Sequence, residues 1–571
     1  MALTPEGGRV IDWSRTSNRD FREIPPKLGT MSLLLATLAF VLTWITAPDY
    51  GIGSDVGNYF ASSLRLLAWF REFFSGVLSG RPTAALDTET VFEAWRWYLP
   101  RLPHPPVARE LSGFTWLLAH RWTDTLTAYR IAVMLAYAML IAWVTVFTHW
   151  SLRSRLAGLS AGLATLVYPT LFAHGHLAHT DLFLTLFWFG AGASIVVFER
   201  TRRIGWLVAA GLLTGAAAAT KFSGLLLVPV LAAWLLARRP RQLGPAVFIA
   251  ALAGVTLFFA VNPVAWIAPE VALSDYFGAG TARAAGEMTR LRTEYFGRIY
   301  EFRPPFHYPW VWTLIVIPPS LLAAAVVGLA GIRRSWLVSF CLLNMGVLYA
   351  ALLLPSAPLH DGVRLFLPAL PFQCVLVGFG VLRSIDWLAA RLPSVGRPWI
   401  EALVVIGVIA PAGAVTARVH PYQLSYANFL VGGTAGAEAR GLEVTNLKEA
   451  FSPRVLLDLA RIIPDDAVVD PGFMAEELCF YQAQGYAPRW RVETDVVGPD
   501  GSTRETLSCR AGSVLPIVLP RPAAAADFVF VLNREAVWRP VDRALFLYGG
   551  APAYEISLAG VPLFRAYRLR E

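Results

Sequence analysis

The sequence predicts an all-α bundle of about eleven membrane-spanning helices, followed by a small α/β domain outside the membrane. Composition is the first of two observations behind this prediction. Of the 571 residues, 56% are hydrophobic and only 16% are charged, whereas a soluble protein carries about 25% charged residues. The second observation is that apolar residues gather, between Met31 and Val419, into runs of roughly 16–24 residues, long enough to cross a hydrocarbon core of about 30 Å.

The apolar runs are interrupted by short polar or basic segments. The first run follows a basic leader and has no small-residue cleavage site before Asp49, so we interpret it as a retained signal anchor. Residues 1–28 are then a polar cytoplasmic tail, 29–419 a transmembrane domain and 420–571 an extracytoplasmic domain. The predicted spans are residues 31–47, 128–150, 156–173, 181–198, 204–220, 222–237, 245–262, 309–331, 335–354, 364–382 and 399–418.

The loops on the two sides of the membrane differ in their basic residues. One set of loops is rich in arginine and lysine, whereas the short loops of the other set carry only Lys221 and Arg364. The positive-inside rule therefore makes the basic-rich set cytoplasmic. We therefore expect a multi-pass protein of the cytoplasmic (inner) membrane of the cell envelope. The net charge of +9 follows from this topology and does not indicate nucleic acid. The basic-rich set holds Arg9, Arg15, Arg19, Arg22, Lys27, Arg153, Arg155, Arg200, Arg202, Arg203, Arg238, Arg239, Arg241, Arg333, Arg334, Arg383, Arg391 and Arg397.

Two long segments fall on the outer side, residues 48–127 and 263–308. The first contains an apolar pattern of helical spacing over Tyr59–Val77, which is typical of a helix lying on a membrane surface. The second contains a basic stretch around Arg283–Arg298 that we predict to be helical. In the C-terminal domain, short apolar runs between Pro and Gly indicate mixed strands and helices.

The four cysteines divide between two environments. Cys341 and Cys374 lie inside apolar runs, where a cysteine packs as a small apolar residue. Cys479 and Cys509 lie in the C-terminal domain. Outside the cytoplasm a disulfide between them would persist, but their spacing does not decide between a disulfide and two free thiols.

Ionisable residues at membrane depth carry a high energetic cost and tend to be functional. In this topology nine of them lie at outer span ends or in outer loops, although they come from separate parts of the chain. We expect several to meet in one cavity at the outer membrane surface. They are Asp55, His104, His174, His176, His179, Asp181, Lys221, Asp361 and Arg364.

Such a cavity has the groups needed to transfer a sugar from a polyprenyl phosphate. A carboxylate removes the proton of the acceptor hydroxyl as the hydroxyl attacks the anomeric carbon. Cations stabilise the negative charge that develops on the departing phosphate. A polytopic transporter or flippase of a lipid-linked or small polar substrate is the alternative. Transporters usually show internal repeats and broken helices at the midplane. This sequence shows no internal repeats, its polar residues lie at one depth, and one outer loop is about 80 residues long.

Several segments then resemble known sequences in order and in outer location. They are PDYGIGSDVGNYF at 48–60, HPPVARELSG at 104–113, PTLFAHGHLAHTDLFLTLFW at 169–188, GLLTGAAAATKFSGLLLVPV at 211–230, PPFHYPWVWTLIVIPPSLL at 304–322, HDGVRLFLPALPF at 360–372 and HPYQLSYANFLVGG at 420–433. Together they resemble the GT-C glycosyltransferases, in particular family 39 and its bacterial relatives, the protein O-mannosyltransferases and aminoarabinose transferases. The family usually has Asp-Glu where this chain has Asp55-Val56, so a second carboxylate is missing.

The resemblance implies an inverting transfer of a hexose or pentose from a polyprenyl-phosphate carrier to a lipid, glycan or protein acceptor, within a lipid bilayer. It implies Asp55 as general base and Lys221 as a contact of the donor phosphate. Charge and depth suggest Arg364 as a second phosphate contact. The expected binding or supporting residues are Tyr59, His104, His174, His176, Asp181 and Asp361.

Other interpretations of these residues stay open. Asp49 is the competing base, and Lys221 has the alternative of snorkelling to the interface. Asp181 follows Thr180 at a helix start, where an acidic side chain often caps the helix. The sequence specifies no cofactor, and the histidines of 174–181 leave a divalent metal as an open alternative. Arg364 is expected to pair with Asp361, three residues away.

Overall fold

A computed structural model describes residues 29–81, 85–95, 104–238, 243–284, 291–330, 335–355, 357–497 and 503–570. The predicted tail at 1–28 and four of the predicted cytoplasmic arginines, at 239, 241, 333 and 334, lie outside these ranges. In the described part, the helices before the C-terminal domain are α1 (Thr30–Thr46), α2 (Val56–Leu78), α3 (Thr88–Trp95), α4 (Val107–Ala119), α5 (Thr125–Leu152), α6 (Arg155–Leu166), α7 (Pro169–His174), α8 (Thr180–Thr201), α9 (Ile204–Ala218), α10 (Leu227–Arg238), α11 (Leu243–Ala260), α12 (Pro263–Ile267), α13 (Pro269–Ala284), α14 (Tyr308–Val316), α15 (Pro319–Leu329), α16 (Trp336–Leu353), α17 (Leu370–Arg391) and α18 (Arg397–Arg418).

The helical membrane fold is confirmed. Among the described residues, seven helices are long and apolar enough to cross a membrane, and one bent pair of helices would make an eighth span. Shorter apolar helices lie at 204–218 and 222–238. The total of eleven spans therefore stays a prediction. The split at Lys221 agrees with the structure, because α9 ends at Ala218 and a short 3₁₀ helix begins at Phe222.

The bundle has enclosed helices and peripheral ones. In α8 and in the segment Arg364–Arg391, which contains α17, 89% and 94% of the most apolar 18-residue stretch are buried inside the protein. In α11 only 6% are buried, although its sequence is as apolar. A helix that is apolar on all sides needs either protein or lipid around it, so the apolar surface of α11 faces the bilayer.

Small residues bring α9 and α11 into close contact. A methyl group added to Gly211 or Gly215 would overlap with the backbone of α11 at Ala250 or Gly254. Helices in membranes associate largely by such backbone approach, because lipid tails supply no hydrophobic driving force between them. The glycine-rich sequence before Lys221 therefore positions this residue by packing α9 tightly against its neighbour.

Two predicted spans are not single helices. The span predicted at 309–331 is wrong as one helix, because α14 and α15 meet at an angle of 116°. Pro318 and Pro319 explain the break: each lacks the N–H that an uninterrupted helix requires, and Pro319 begins α15. The span predicted at 156–173 likewise divides into α6 and α7, with Pro169 at the start of α7.

The break between α14 and α15 leaves carbonyl groups without helical partners. The side-chain amide of Asn428 donates to the carbonyl oxygens of Leu314 at 2.6 Å and Ile317 at 2.9 Å. Its backbone N–H donates to the carbonyl of Ile315 at 2.8 Å. Irregular backbone in a membrane protein needs such partners, so the segment after the last helix stabilises the bend.

The outer segments contain one confirmed and one incorrect prediction. Helix α2 confirms the helical pattern of Tyr59–Val77. The basic helix expected around Arg283–Arg298 is wrong over its last residues, because strands β1 (Thr293–Tyr295) and β2 (Arg298–Tyr300) form an antiparallel hairpin there. Gly297 has a φ of +71° in its turn, a conformation that glycine adopts without steric cost.

The C-terminal part confirms the predicted small α/β domain, which we call the sheet domain (residues 453–570). Its mixed sheet has the order β6-β5-β4-β3-β7-β9-β8, in which β3 runs parallel to β4 and β7. The disulfide between Cys479 and Cys509 is formed. The elements after α18 are α19 (Gly433–Glu438), α20 (Pro453–Leu459), β3 (Val468–Asp470), α21 (Ala475–Ala483), β4 (Arg491–Val497), β5 (Thr503–Ser508), β6 (Ile517–Leu519), β7 (Phe528–Leu532), α22 (Pro540–Tyr548), β8 (Tyr554–Leu558) and β9 (Val561–Arg568).

A buried segment connects the helices to the sheet domain. Every residue from Leu442 to Ser452 is buried, and we call this segment the strap. It contacts the outer loop after α1 through its backbone: the N–H of Gly51 donates to the carbonyl of Glu449 at 3.1 Å, and the N–H of Ser54 donates to that of Leu447 at 3.0 Å. The strap thus fixes the loop that leads to Asp55.

Candidate active site

Asp55 ends the loop between α1 and α2. Its φ is +68°, an uncommon conformation for a residue with a side chain, and its side chain is 46% exposed. The loop is also held from the membrane side. The guanidinium of Arg130, which is buried in α5, donates to the carbonyls of Ala47 at 2.8 Å and Tyr50 at 3.1 Å. Contacts on both sides therefore fix the position of a half-exposed carboxylate.

Arg364 brings three carboxylates together. It begins a 3₁₀ helix that leads into α17. Its Nε lies 2.8 Å from Oδ2 of Asp181, its Nη1 lies 3.1 Å from Oδ2 of Asp361, and its Nη2 lies 3.5 Å from Oδ2 of Asp55. The predicted pair with Asp361 is confirmed. The guanidinium offers five N–H donors in a fixed plane, which suits it to several acceptors at once.

Asp181 bridges two cations. Its side chain is 1% exposed, and Oδ1 lies 2.6 Å from Nζ of Lys221 while Oδ2 contacts Arg364. The alternative that Asp181 caps α8 is wrong, because the cap residue is His179 and Asp181 lies in the first turn without a capping bond. Lys221 lies in the break after α9, and its side chain is 13% exposed. It therefore points to a protein carboxylate and does not snorkel away from the site.

Arg534 of the sheet domain is the residue that the sequence analysis missed. It follows β7, and its side chain is only 2% exposed. Its Nη2 lies 2.7 Å from Oδ1 of Asp361, whose Oδ2 also contacts Nδ1 of His360 at 2.9 Å. The sequence does not single out one arginine among those of a polar tail. The other site residues were recognised because burying a charge in a membrane is costly, and this cost does not apply in the tail.

Charges in this cluster are balanced. Burial of an ion is unfavourable unless it is paired, and here three cations face three carboxylates. Arg534, His360 and Arg364 hold the pKa of Asp361 well below its usual range despite its burial. We call these six residues the charge cluster; they are Lys221, Arg364, Arg534, Asp55, Asp181 and Asp361.

The three histidines of residues 174–181 lie in different surroundings. His179 is fully buried, burial lowers its pKa to about 4, and it is neutral at physiological pH. A Cβ atom added to Gly53 would lie 3.0 Å from Nε2 of His179. His174 lines a small cavity beside Asp361 and Arg364. His176 lies elsewhere, with its ring stacked on Tyr50 at 3.9 Å.

Tyr59 and His104 lie on the α2 side of the site. Tyr59 is one helical turn beyond Asp55, to whose carbonyl its backbone N–H donates at 3.0 Å. Its ring lies 6.2 Å from that of His104 and 6.3 Å from that of His179. The two predicted supporting residues therefore neighbour the charge cluster through the first turn of α2.

Asp49, the competing base, has a different environment. It is 7% exposed, and its carboxylate contacts Nε2 of His420 at 2.7 Å and an Nη atom of Arg454 at 2.6 Å. These contacts join the end of α1 to the segment after α18 and to α20. Of the two candidate bases, Asp55 is therefore the accessible one.

A small, partly open cavity lies beside Arg364 and is lined by His174, Asp361 and Asn446, among others. Among the described residues, no group of three or more His, Cys, Asp and Glu side chains is arranged to hold a metal ion. The arrangement combines an accessible carboxylate with two neighbouring cations, which can accept a proton and bind an anion respectively.

Comparisons with known proteins agree with this architecture. The sequence profile of the family described as dolichyl-phosphate-mannose-protein mannosyltransferase matches residues 103–267, a range that includes Asp181 and Lys221. No curated protein matches the chain in sequence. Crystal structures of ArnT from Cupriavidus metallidurans, bound to undecaprenyl phosphate and in the apo state, match with TM-scores of 0.51 and 0.50. Both are 14% identical and cover 93% of this chain and 97% of the ArnT chain, which confirms the predicted fold class.

Proposed function

We propose that this chain is a GT-C glycosyltransferase that transfers a sugar from a polyprenyl-phosphate carrier to an extracytoplasmic acceptor, with inversion at the anomeric carbon. The match of residues 103–267 to the mannosyltransferase family and the ArnT-like fold support this proposal. The observation that carries the proposal is the contact of Arg364 with both Asp55 and Asp181, which connects the accessible carboxylate to Lys221. The ArnT structure bound to undecaprenyl phosphate supports a lipid phosphate as the carrier.

Asp55 is proposed as the general base. Of the three carboxylates around Arg364, Asp181 and Asp361 are 1% and 3% exposed, whereas Asp55 is 46% exposed. Only an accessible carboxylate reaches the hydroxyl of an incoming acceptor within hydrogen-bond distance. When the base removes this proton, the hydroxyl oxygen attacks the anomeric carbon directly, and the carbon–phosphate oxygen bond breaks on the opposite face. Such a single displacement inverts the anomeric configuration.

Lys221 and Arg364 are proposed as contacts of the donor phosphate. The bridge through Asp181 holds the two cations next to each other before any ligand arrives, which reduces the reorganisation needed in the transition state. Arg364 uses three directions for carboxylates and has five N–H donors. A phosphate would accept hydrogen bonds from the remaining N–H groups. These bonds would stabilise the negative charge that develops on the phosphate as its bond to the sugar breaks.

The sugar is proposed to lie on the exposed side of Asp55. An opening toward the outer surface gives both the lipid-linked donor and the acceptor access. Tyr59 and His104 neighbour Asp55 along α2, and His174 lines the cavity beside Arg364. All three are proposed to support substrate binding.

The orientation in the membrane is part of the proposal. The positive-inside pattern assigns the charge cluster and the sheet domain to the outer side of the cytoplasmic membrane. The disulfide between Cys479 and Cys509 supports the same orientation, since disulfides persist in oxidising compartments. Lipid, glycan and protein acceptors all fit an outer site.

The test uses the purified protein in proteoliposomes with a panel of polyprenyl-phosphate-linked hexoses and pentoses. Release of the free lipid phosphate reports transfer whichever sugar is used. The Asp55→Asn variant should release it at least about 100-fold more slowly, because the amide cannot accept the proton. Asp466→Asn, at an exposed position in the sheet domain, should match the wild type. Wild-type turnover by Asp55→Asn would refute Asp55 as the base.

A further inference from the structure

The sheet domain inserts one side chain into the charge cluster. Arg534 lies two residues after the end of β7, immediately before a short 3₁₀ helix at Glu535–Val537. Its guanidinium is almost completely buried, at 2% exposure. Burying this cation is unfavourable without good partners, so its position requires the partners that it finds in the membrane domain.

Arg534 is connected to Arg364 through one shared partner, Asp361. Nη2 of Arg534 lies 2.7 Å from Oδ1 of Asp361, and the other oxygen of the same carboxylate lies 3.1 Å from Nη1 of Arg364. One carboxylate therefore joins an arginine of the sheet domain to an arginine of the membrane domain. If Arg534 is lost, Oδ1 of Asp361 loses its charged partner, and only the contacts of Oδ2 with His360 and Arg364 hold the carboxylate.

The loop that carries Asp361 has an unfavourable backbone conformation. Asp361 has a φ of +54° and Gly362 a φ of +60°. The left-handed conformation is unfavourable for Asp361 by roughly 1 kcal/mol, and such conformations persist only where surrounding contacts fix them. Within the loop, the N–H of Arg364 donates to the carbonyl of Asp361 at 3.2 Å, and the carboxylate contacts His360 and Arg364. From outside the loop, Arg534 pairs with Asp361, and the hydroxyl of Tyr308 accepts from the N–H of Gly362 at 2.9 Å.

Arg534 is itself anchored on the opposite side. Its Nη1 donates to the carbonyl of Asn446 at 2.6 Å, and its Nε lies 3.5 Å from Oε1 of Glu443. Both residues belong to the strap, which also fixes the loop of Asp55. The guanidinium thus has a defined place between the strap and Asp361.

We propose that Arg534 is a positioning residue for the transfer reaction: it holds Arg364 in place through Asp361, so that the sheet domain completes the active site. The proposal rests on the proposed function, in which Arg364 contacts the donor phosphate. Arg534 does not touch the substrate in this account. Its effect reaches the donor only through the loop of residues 360–364.

Arg539 provides a matched control. It is also a largely buried arginine of the sheet domain, at 11% exposure, and it pairs with Asp470 at 2.9 Å and Asp542 at 2.7 Å. Both of its partners belong to the sheet domain. A purely structural role for Arg534 would make the two arginines equivalent, whereas a positioning role would not.

The experiment compares the full-length wild type, Arg534→Gln and Arg539→Gln in nanodiscs. Hydrogen exchange of residues 357–366 should be faster in Arg534→Gln only. Undecaprenyl phosphate, the probe, should bind about 10-fold to 100-fold more weakly to Arg534→Gln than to the wild type. Arg539→Gln should resemble the wild type in both measurements. If Arg534→Gln does not fold, Arg534→Lys replaces it, because lysine keeps the charge but lacks the planar fork.

A double variant tests the route of the effect. If Arg534 acts through Asp361, then Asp361→Asn with Arg534→Gln should bind the probe no more weakly than Asp361→Asn alone. Additive losses would overturn this route, as would unchanged exchange in Arg534→Gln or equal loss of affinity in Arg539→Gln. Failure of the wild type to bind the probe would refute the proposed function, while the exchange comparison would still decide whether Arg534 positions the loop.

Discussion

Asp181 and Lys221 form an ion pair of 2.6 Å at the centre of the charge cluster, although Asp181 lies in α8 and Lys221 in the break after α9. The second oxygen of Asp181 contacts Arg364 at 2.8 Å. One buried carboxylate therefore keeps two cations together. In our account, this pair of cations is the preformed binding site for the donor phosphate.

Asp181→Asn should destabilise the protein by about 3–5 kcal/mol, because it leaves buried cations without their shared anion. The free energy of unfolding in detergent would be measured by denaturant titration. Asp386→Asn is the control, since Asp386 pairs with Arg397 while 40% exposed, and exposed pairs contribute only about 0–1 kcal/mol. Equal effects of the two substitutions would contradict the central place of Asp181.

Lys221→Gln should weaken binding of undecaprenyl phosphate by about 10-fold or more, because a charge-assisted contact to the phosphate is lost. Binding would be measured on the protein in nanodiscs at low salt. Arg292→Gln removes a cation from an exposed pair with Glu301 and should leave the affinity unchanged. Wild-type affinity of Lys221→Gln would count against a phosphate contact at this position.

Gly53→Ala should reduce transfer strongly, because the new methyl group would lie 3.0 Å from Nε2 of His179 and move the loop of Asp55. Gly485→Ala separates this effect from backbone strain. Gly485 has a φ of +77°, close to the +75° of Gly53, but an added Cβ would meet no atom within 4 Å. Both substitutions should lower stability by about 1 kcal/mol, and only Gly53→Ala should lower the transfer rate. Equal transfer rates would show that the fit of this loop against His179 is unimportant.

Stability should depend on pH through Glu443. Burial raises its pKa to about 7 despite the attraction of Arg534, while a glutamate in the unfolded chain titrates near about 4.3. Between these pH values the folded state holds a proton that the unfolded state has released. Stability therefore falls as the pH rises, by up to about 1.4 kcal/mol per pH unit.

Glu443→Gln removes this contribution because glutamine does not titrate. The free energy of unfolding of the variant, relative to wild type, should increase from about pH 5 to about pH 7. Other titrating groups are present in both proteins and cancel in the comparison. A difference that stays constant over this range would contradict the raised pKa of Glu443.

The sequence predicted which residues meet in the site better than it predicted where individual helices bend or end. Asp55, Asp181, Lys221, Asp361 and Arg364 were grouped because all lie at one predicted depth, and their contacts in the structure agree with that grouping. Depth is informative because charged side chains at membrane level have few stable positions. It did not predict which atoms pair, since pairing depends on side-chain directions that topology leaves open.

Residues of the sheet domain escaped the same reasoning. A charged residue in a water-soluble domain has no cost of membrane burial, so Arg534 could not be distinguished from the other arginines of the tail. His176 shows the opposite error of grouping by sequence proximity: it is two residues from His174 but stacks on Tyr50. The bend at Pro318 and Pro319 was readable from the sequence, because two successive residues without N–H groups interrupt a helix.

A structure of the full-length protein in nanodiscs with undecaprenyl phosphate bound would show whether the two cations bind the donor phosphate. We predict that the lipid phosphate contacts Nζ of Lys221 and the guanidinium of Arg364 at about 3 Å, with the carboxylate of Asp55 facing the same space. A phosphate bound away from both cations, with Asp55 distant from it, would refute this assignment.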